Sequence, residues 1–227
     1  MNGPLRLVLF DVDGTLVDSQ ASIVNAMTAA FDLARLAVPS RADILSIVGL
    51  SLDRAMAELV PDVAEDSRAR LVQNYKDAYH DLRLAGGADH GSPLYPGARE
   101  MIAHLDAQPD TLLGVATGKS LRGLTALLEA HNLESVFVTR QVADHHPSKP
   151  DPSMILTAMA ETGTDRVRTV MIGDTSFDMD MAQAAGVAGV GVSWGYHMPD
   201  RLGAAQQVID GFDQLPNTLD TIWKANA

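Results

Sequence analysis

Two aspartates, Asp11 and Asp13, follow directly after the apolar run RLVLF at residues 6–10. Because an Asp-Gly sequence favours turns, both side chains could simply serve the turn that ends a strand. Carboxylates grouped in this way also suit a hard cation such as Mg²⁺, and an aspartate can act as a nucleophile that forms a covalent intermediate. The remainder of the chain distinguishes these two interpretations.

Small polar and charged residues also follow the later apolar runs of the chain. They are Thr117 and Gly118 after TLLGVA (111–116), Lys149 in the loop beyond VFVT (136–139), and Asp174 and Asp178 after TVMI (169–172). In open α/β sheets, ligands bind at the carboxyl ends of the strands. We therefore expect these residues to converge with Asp11 and Asp13 at one edge of a sheet.

The chemistry of this set indicates a site for a phosphoryl group. The set contains three carboxylates, those of Asp11, Asp13 and Asp174. Together they form an oxygen-rich site that suits Mg²⁺, and without a cation they would repel one another. Thr117 offers a hydroxyl, Gly118 offers an amide at a helix N-terminus where anions bind, and Lys149 adds a positive charge.

The elements that must position these residues alternate along the chain. Five short apolar runs predict strands, at residues 5–10, 111–116, 136–139, 169–172 and 189–194. They are continuous rather than alternating, which is typical of strands buried on both faces of a parallel sheet. Helical patterns lie between them, at residues 98–105, 119–131, 151–162 and 176–185. The alternation predicts a doubly wound, Rossmann-like α/β core.

One region interrupts this alternation, because residues 18–93 contain no convincing strand. Helices are predicted there at about 23–34, 41–48, 52–60 and 64–84. We expect an all-helical cap at 18–93, inserted after the first strand into a catalytic core made of residues 1–17 and 94–227. The Gly-containing stretch LAGGADHGSP (84–93) is predicted to be the return linker.

Composition narrows the classes of function. The chain has 227 residues, of which 46% are hydrophobic, and a net charge of −12. A surface this acidic repels nucleic acid and anionic membranes, and no apolar run approaches the ~18 residues of a membrane helix. Cysteine is absent, so we expect a cytoplasmic chain without disulfides. An anionic substrate would need a metal ion or one of the few lysines to attract it.

Four short motifs carry a resemblance to a known family. DVDGT (11–15), ATG (116–118), SKPDP (148–152) and GDTSFD (173–178) resemble, in order, the four motifs of the haloacid dehalogenase superfamily. They are most similar to its phosphoglycolate phosphatase-like group with a helical cap. The resemblance spans the whole chain and implies a Mg²⁺-dependent phosphatase that acts on a small phosphate monoester. One departure is Ser148, where the lysine motif usually has glycine.

The resemblance also implies a role for each carboxylate. Asp11 would attack phosphorus and become a phosphoaspartate, while Asp13 would protonate the leaving oxygen and then activate water. The Asp11 carboxylate, the Asp13 backbone carbonyl and Asp174 would hold Mg²⁺. Asp178 would have a supporting role, such as orienting Lys149 or a metal-bound water.

The remaining predicted site residues concern the substrate. By the resemblance, Thr117 and Gly118 would hold phosphate oxygens, and Lys149 would neutralise charge between nucleophile and substrate. In the cap, Ser51 and Arg54 in VGLSLDRA (48–55) are the candidates for selecting the leaving group. Lys119 fits a substrate contact and a solvated position in the first turn of a helix equally well.

The same residues bear on alternative functions. A dehalogenase needs no second aspartate, because a halide leaves without a proton, so Asp13 argues against that activity. Phosphonate hydrolysis needs a Schiff-base lysine in the cap, where Lys76 lies in the middle of a helical pattern. A sugar-phosphate mutase of the same superfamily stays open. A phosphorylation-dependent receiver module is disfavoured, because receiver modules have no helical insert and this chain is predicted to have one. No sequence feature indicates the oligomeric state.

Overall fold

A six-stranded parallel sheet forms the centre of the protein. The computed structural model describes residues 4–85 and 92–225 of the chain. The strands are β1 (Arg6–Phe10), β2 (Thr111–Thr117), β3 (Thr139–Val142), β4 (Thr169–Gly173), β5 (Ala188–Val192) and β6 (Gln207–Ile209). Their order in the sheet is β3-β2-β1-β4-β5-β6, and every neighbouring pair is parallel. This order confirms the predicted Rossmann-like α/β fold.

Burial on both faces explains why the strands are continuous apolar runs. In β1, Val8 and Phe10 belong to the hydrophobic cluster on one face of the sheet. Leu7 and Leu9 belong to the cluster on the opposite face, as the two-residue period of a strand requires. All four side chains are fully buried. The strand is therefore fixed from both sides, which holds the position of the residues that follow it.

Helices flank the sheet where the sequence predicts them. They are α5 (Ala98–Asp106), α6 (Leu121–His131), α7 (Ser153–Thr162), α8 (Ser176–Ala185) and α9 (Leu215–Ala225). Strand β3 begins at Thr139 rather than at Val136, because Val136 donates to Leu133 O in a turn and Phe137 is buried in the core. Strand β6 and helix α9 were not predicted.

Among the described residues, four helices lie between β1 and β2 in the chain, ahead of α5. They are α1 (Gln20–Ala34), α2 (Arg41–Ser46), α3 (Leu52–Leu59) and α4 (Glu65–Ala85). They share a hydrophobic cluster of their own, which includes Met27, Phe31, Met56 and Leu71. The two segments that connect these helices to the sheet lie side by side, since the Asp18 amide donates to Pro93 O. Of the predicted linker at 84–93, residues 86–91 lie outside the described part of the chain.

None of the helices among the described residues combines the length and apolar character that crossing a membrane requires.

Candidate active site

The sheet places the predicted residues at one edge. Asp11 directly follows β1, whose last residue Phe10 is opposite Val115 of β2 and Ile172 of β4. The Asp11 amide donates to Ile172 O at 2.9 Å. β1 is the strand at which the order of the sheet changes direction, and ligands bind at such a switch point in open α/β sheets. Asp11 is therefore the central residue of the candidate site.

The Asp11 carboxylate is 1% exposed and its two oxygens differ. Oδ1 accepts a hydrogen bond from Lys149 Nζ at 2.8 Å. Oδ2 is buried and has no hydrogen-bond partner within the described residues. Burial raises the pKa of Asp11 to about 7, although Lys149 acts to lower it. A buried carboxylate oxygen without a partner is costly, and it is the atom that a cation or a substrate would contact.

Lys149 joins two carboxylates in the interior. Its side chain is 0% exposed, and its ammonium donates to Asp11 Oδ1 and, at 2.6 Å, to Asp178 Oδ1. Burial acts to lower the pKa of Lys149, but Asp11 and Asp178 outweigh it and hold that pKa above its ordinary value. The lysine is therefore charged, and it partly neutralises the carboxylates of Asp11 and Asp178.

Asp178 has two roles that the structure combines. Its Oδ2 accepts from the amide and the hydroxyl of Thr175, at 3.0 and 2.7 Å, and closes the capping box that begins α8. Its Oδ1 receives Lys149. Asp178 therefore contacts Lys149, which is one of the supporting roles expected for it, and it also caps helix α8.

Asp174 lies at the end of β4 and is fully buried. Its Oδ1 accepts from Thr15 Oγ1 at 2.9 Å, and its Oδ2 accepts from the Tyr196 amide at 2.8 Å. Burial raises the pKa of Asp174 well above its ordinary value, and the nearby acidic groups act in the same direction. A Cβ on Gly14, whose φ is +91°, would lie 2.3 Å from Asp174 Oδ2, so the chain needs glycine there.

The carboxylates form a group that fits a divalent cation. Asp11, Asp174 and Asp178 each offer one oxygen atom, and these atoms lie within 4.8 Å of one another. Oxygen ligands suit Mg²⁺, and the unpartnered Asp11 Oδ2 is part of this region. Asp13 was expected to contribute through its backbone carbonyl, and its carboxylate is directed to other partners.

The Asp13 carboxylate is paired with Lys119, for which the sequence fitted a substrate contact and a solvated position equally well. Lys119 Nζ donates to Oδ1 and Oδ2 of Asp13 at 2.9 and 2.7 Å. Ser19 Oγ also donates to Oδ1, at 2.6 Å, and lies 2.8 Å from the Tyr196 hydroxyl. Lys119 is only 9% exposed. The structure thus adds Lys119, Ser19 and Tyr196 to the site. Two of them had a signal in the sequence, because Lys119 follows Gly118 and Tyr196 follows the last predicted strand.

The phosphate-binding candidates lie under the turn that joins α2 to α3. Thr117 Oγ1 accepts from the Lys119 amide at 3.2 Å. A Cβ on Gly118 would lie 2.6 Å from the carbonyl oxygens of Gly49 and Leu50, so this glycine permits the close approach of that turn. The helical segment therefore covers the edge of the sheet at Gly118.

The two predicted selecting residues of the helical segment differ in position. The Ser51 amide donates to Ser148 Oγ at 2.9 Å, next to Lys149 in the chain. Ser148 is the residue that departs from the usual glycine, and its hydroxyl makes this contact. The Arg54 side chain is 63% exposed and donates to Glu58 Oε1, one turn along α3. The structure thus brings Ser51, but not the Arg54 guanidinium, to the other site residues.

Comparison with known proteins defines the class of this protein. The family model described as "Haloacid dehalogenase-like hydrolase" matches residues 8–192. The chain therefore belongs to the haloacid dehalogenase-like hydrolases, which confirms the family predicted from the four motifs.

Similar proteins cover nearly the whole chain. "Probable phosphatase IndB" of Dickeya dadantii is 37% identical over 97% of this chain and 96% of its own length. "Phosphoglycolate phosphatase" of Caulobacter vibrioides is 34% identical over 95% of this chain and 91% of its own length. A hydrolase from Pseudomonas syringae has a solved structure with a TM-score of 0.83 at 27% identity, covering 96% of this chain and 99% of that one. These relatives agree with the predicted class of enzyme.

Proposed function

We propose that this protein is a Mg²⁺-dependent phosphatase that hydrolyses a small phosphate monoester through a phosphoaspartate on Asp11. The observation that carries the proposal is the asymmetry of the Asp11 carboxylate. One oxygen is held by Lys149, and the other is buried without a partner at the switch point of the sheet. The phosphatase names of the relatives in Dickeya and Caulobacter support the same reaction.

Attack on phosphorus requires the negative charges to be balanced. The substrate dianion repels the Asp11 carboxylate, and the Lys149 ammonium at 2.8 Å from Asp11 Oδ1 reduces that repulsion. Bound Mg²⁺ would supply further neutralisation of the phosphate, held by Asp11, Asp174 and the Asp13 carbonyl, with Asp178 close by. Asp11 Oδ2 forms the bond to phosphorus as the bond from phosphorus to the ester oxygen breaks.

Proton transfer is assigned to Asp13. An alkoxide is a poor leaving group, so Asp13 gives its proton to the ester oxygen as that bond breaks. In the second step Asp13 takes a proton from water, whose oxygen attacks phosphorus and releases Asp11 and inorganic phosphate. Ser19 and Lys119 hold the Asp13 carboxylate in one orientation through bonds of 2.6 to 2.9 Å.

The remaining residues bind the phosphate and close the site. We assign the phosphate oxygens to the Thr117 hydroxyl, the Gly118 amide and Lys149. Residues 18–93 act as the cap, and residues 1–17 with 94–227 as the catalytic core. The close approach of the α2–α3 turn to Gly118 supports this division, because a covering segment excludes water from a reactive intermediate. The substrate is a small cytoplasmic metabolite rather than nucleic acid or lipid.

The test is steady phosphate release from p-nitrophenyl phosphate with and without Mg²⁺. We expect many turnovers that stop on chelation, and no turnover from the Asp11→Asn variant. Full activity in Asp11→Asn, or activity unaffected by a chelator, would contradict the proposal. A receiver module would release at most one equivalent, and a mutase would move the phosphoryl group within a sugar phosphate without net release of phosphate.

A further inference from the structure

The loop that carries Lys149 reaches the site from the edge of the sheet. This loop joins β3, the edge strand, to α7. The Lys149 ammonium nevertheless lies 2.8 Å from Asp11, which follows β1, two strands away. Neighbouring strands are about 4.8 Å apart, so the loop and the lysine side chain together span about 10 Å. The position of the ammonium therefore depends on what holds the loop.

The His146 side chain joins the two ends of this loop. His146 precedes Lys149 in the chain, and its Nε2 lies 2.8 Å from Gln141 Oε1 on β3. Its Nδ1 lies 2.8 Å from Ser153 Oγ, on the first residue of α7. The imidazole thus connects the strand before the loop to the helix after it, and Lys149 lies in the segment between His146 and Ser153.

A chain of polar side chains fixes the orientation of Gln141. This residue is 4% exposed, and its Nε2 donates to Thr139 Oγ1 at 2.7 Å and to Glu161 Oε2 at 2.8 Å. The reversed amide would place its oxygen against the Glu161 carboxylate, which is unfavourable. Gln141 Oε1 therefore faces His146, and because this oxygen can only accept, the hydrogen lies on His146 Nε2.

The His146 ring is neutral in this arrangement. Burial lowers the pKa of His146 and His145 acts in the same direction, while Glu161 and Asp151 act to raise it, and the net shift is downward. A neutral ring with its hydrogen on Nε2 has an acceptor at Nδ1, which suits the Ser153 hydroxyl. Both ring nitrogens thus have complementary partners, so the ring is held in one orientation.

The other side-chain contacts of the loop have a different origin. Ser148 Oγ accepts from the Ser51 amide, so this contact depends on the position of the helical segment. Asp151 Oδ1 accepts from the Ser153 amide and fixes only the start of α7. The contacts of His146 are with β3 and α7, which belong to the sheet and its flanking helices. They hold the loop independently of the helical segment.

We infer that His146 is a positioning residue, which holds the loop so that the Lys149 ammonium stays between Asp11 and Asp178. The effect on turnover rests on the proposed phosphatase function, in which Lys149 neutralises charge between nucleophile and phosphate. The position of Lys149 itself can be measured without substrate. His146 acts on the reaction through Lys149, because its own contacts are with Gln141 and Ser153.

The experiment observes the Lys149 ammonium directly by heteronuclear NMR of the metal-free protein. An ammonium that is buried between two carboxylates is protected from exchange with water and gives a resolved signal. The variants are His146→Leu, which removes both ring nitrogens, and His146→Gln, which can still donate to Gln141. Ser153→Ala removes one partner of the ring. The same leucine substitution at His145, the exposed neighbour, is the matched control.

The second measurement is kcat for p-nitrophenyl phosphate with Mg²⁺. We expect His146→Leu to broaden or abolish the Lys149 signal and to lower kcat by about 10- to 100-fold, since small displacements of a group near the reacting atoms have effects of this size. His146→Gln should recover part of both losses, and His145→Leu should behave as the wild type. Thermal unfolding shows that each variant is folded under the conditions of the measurement.

Several results would overturn the inference. They are an unchanged Lys149 signal in His146→Leu, a wild type without a protected signal, and equal losses in His145→Leu. If His146→Leu does not fold, then wild-type signals and kcat in both His146→Gln and Ser153→Ala would overturn it. A changed Lys149 signal, combined with no Mg²⁺-dependent turnover in the wild type, would instead refute the proposed function and leave the role of His146 in the loop intact.

Discussion

Removal of Lys149 is the perturbation with the largest expected effect on stability. The side chain is 0% exposed and makes ion pairs of 2.8 Å to Asp11 and 2.6 Å to Asp178. Lys149→Met keeps most of the apolar volume but leaves two buried carboxylates facing each other without a cation. Each of them has already lost its hydration, so their repulsion is not relieved by water.

The magnitude follows from the loss of one partner in a buried pair, which costs about 3–5 kcal/mol. For a chain of this length, each kcal/mol lowers Tm by about 2–4 °C, so we expect a decrease of about 6–20 °C. The deficit should shrink at acidic pH. Without Lys149 the native carboxylates bind protons more tightly than the unfolded chain does, so the variant gains relative stability as the pH falls.

The assay is thermal and urea unfolding at several pH values without metal. Lys224→Met is the matched control, because Lys224 is 78% exposed and its pair with Asp220 spans 3.4 Å. We expect the control to change the free energy of unfolding by about 0.5 kcal/mol or less. If Lys149→Met were as stable as the control at pH 7, the buried ion pairs would not have the role given to them here.

Two further predictions concern the carboxylates. Burial raises the pKa of Asp11 from 3.8 to about 7, so between those values the native state holds a proton that the unfolded state has released. The contribution of Asp11 to the free energy of unfolding of the metal-free protein should therefore fall with rising pH by about 1.4 kcal/mol per unit between those values. Mg²⁺ should restore it near pH 7, and an unchanged slope in Asp11→Asn would contradict this cause. Gly14→Ala would place a Cβ 2.3 Å from Asp174 Oδ2 at a φ of +91°. It should cost about 1–3 kcal/mol from backbone strain alone and should weaken Mg²⁺ binding measured by calorimetry. Gly163→Ala, with a φ of +68° and nothing within 4 Å, should leave Mg²⁺ binding unchanged.

The core of the fold was predictable because its strands are buried on both faces. A run such as TVMI must be apolar at every position in that environment, and it appears as β4. β6 (Gln207–Ile209) could not be recognised in this way, since it is a short edge strand in which only Ile209 is buried. Helix α9 has a signal in the sequence, the helical spacing of Leu215, Leu219 and Ile222.

The site residues that directly follow a strand were predictable from the sequence. Asp11 and Asp174 come together because β1 and β4 are neighbours, and a residue's place after a strand is visible in the sequence. The partners of Lys119 were not visible. Asp13 lies 106 residues away and Tyr79 lies on α4, so their contacts depend on how the helical segment packs over the sheet. The exposed position of Arg54 did have a signal in the sequence. Glu58 follows it by four residues, and such pairs form on the surface of a helix.

The charges of the site explain why it needs both a divalent cation and two lysines. The chain has a net charge of −12, so its general field repels a phosphate dianion. The site contains four carboxylates and two ammonium groups. Lys119 is paired with Asp13 and Lys149 with Asp11 and Asp178, while Asp174 accepts from the neutral donors Thr15 and Tyr196. The excess with all groups ionised is two negative charges, which is the charge of one divalent cation. With all groups ionised, binding of that cation makes the site neutral, and a dianion can then approach Asp11 without opposing the local field.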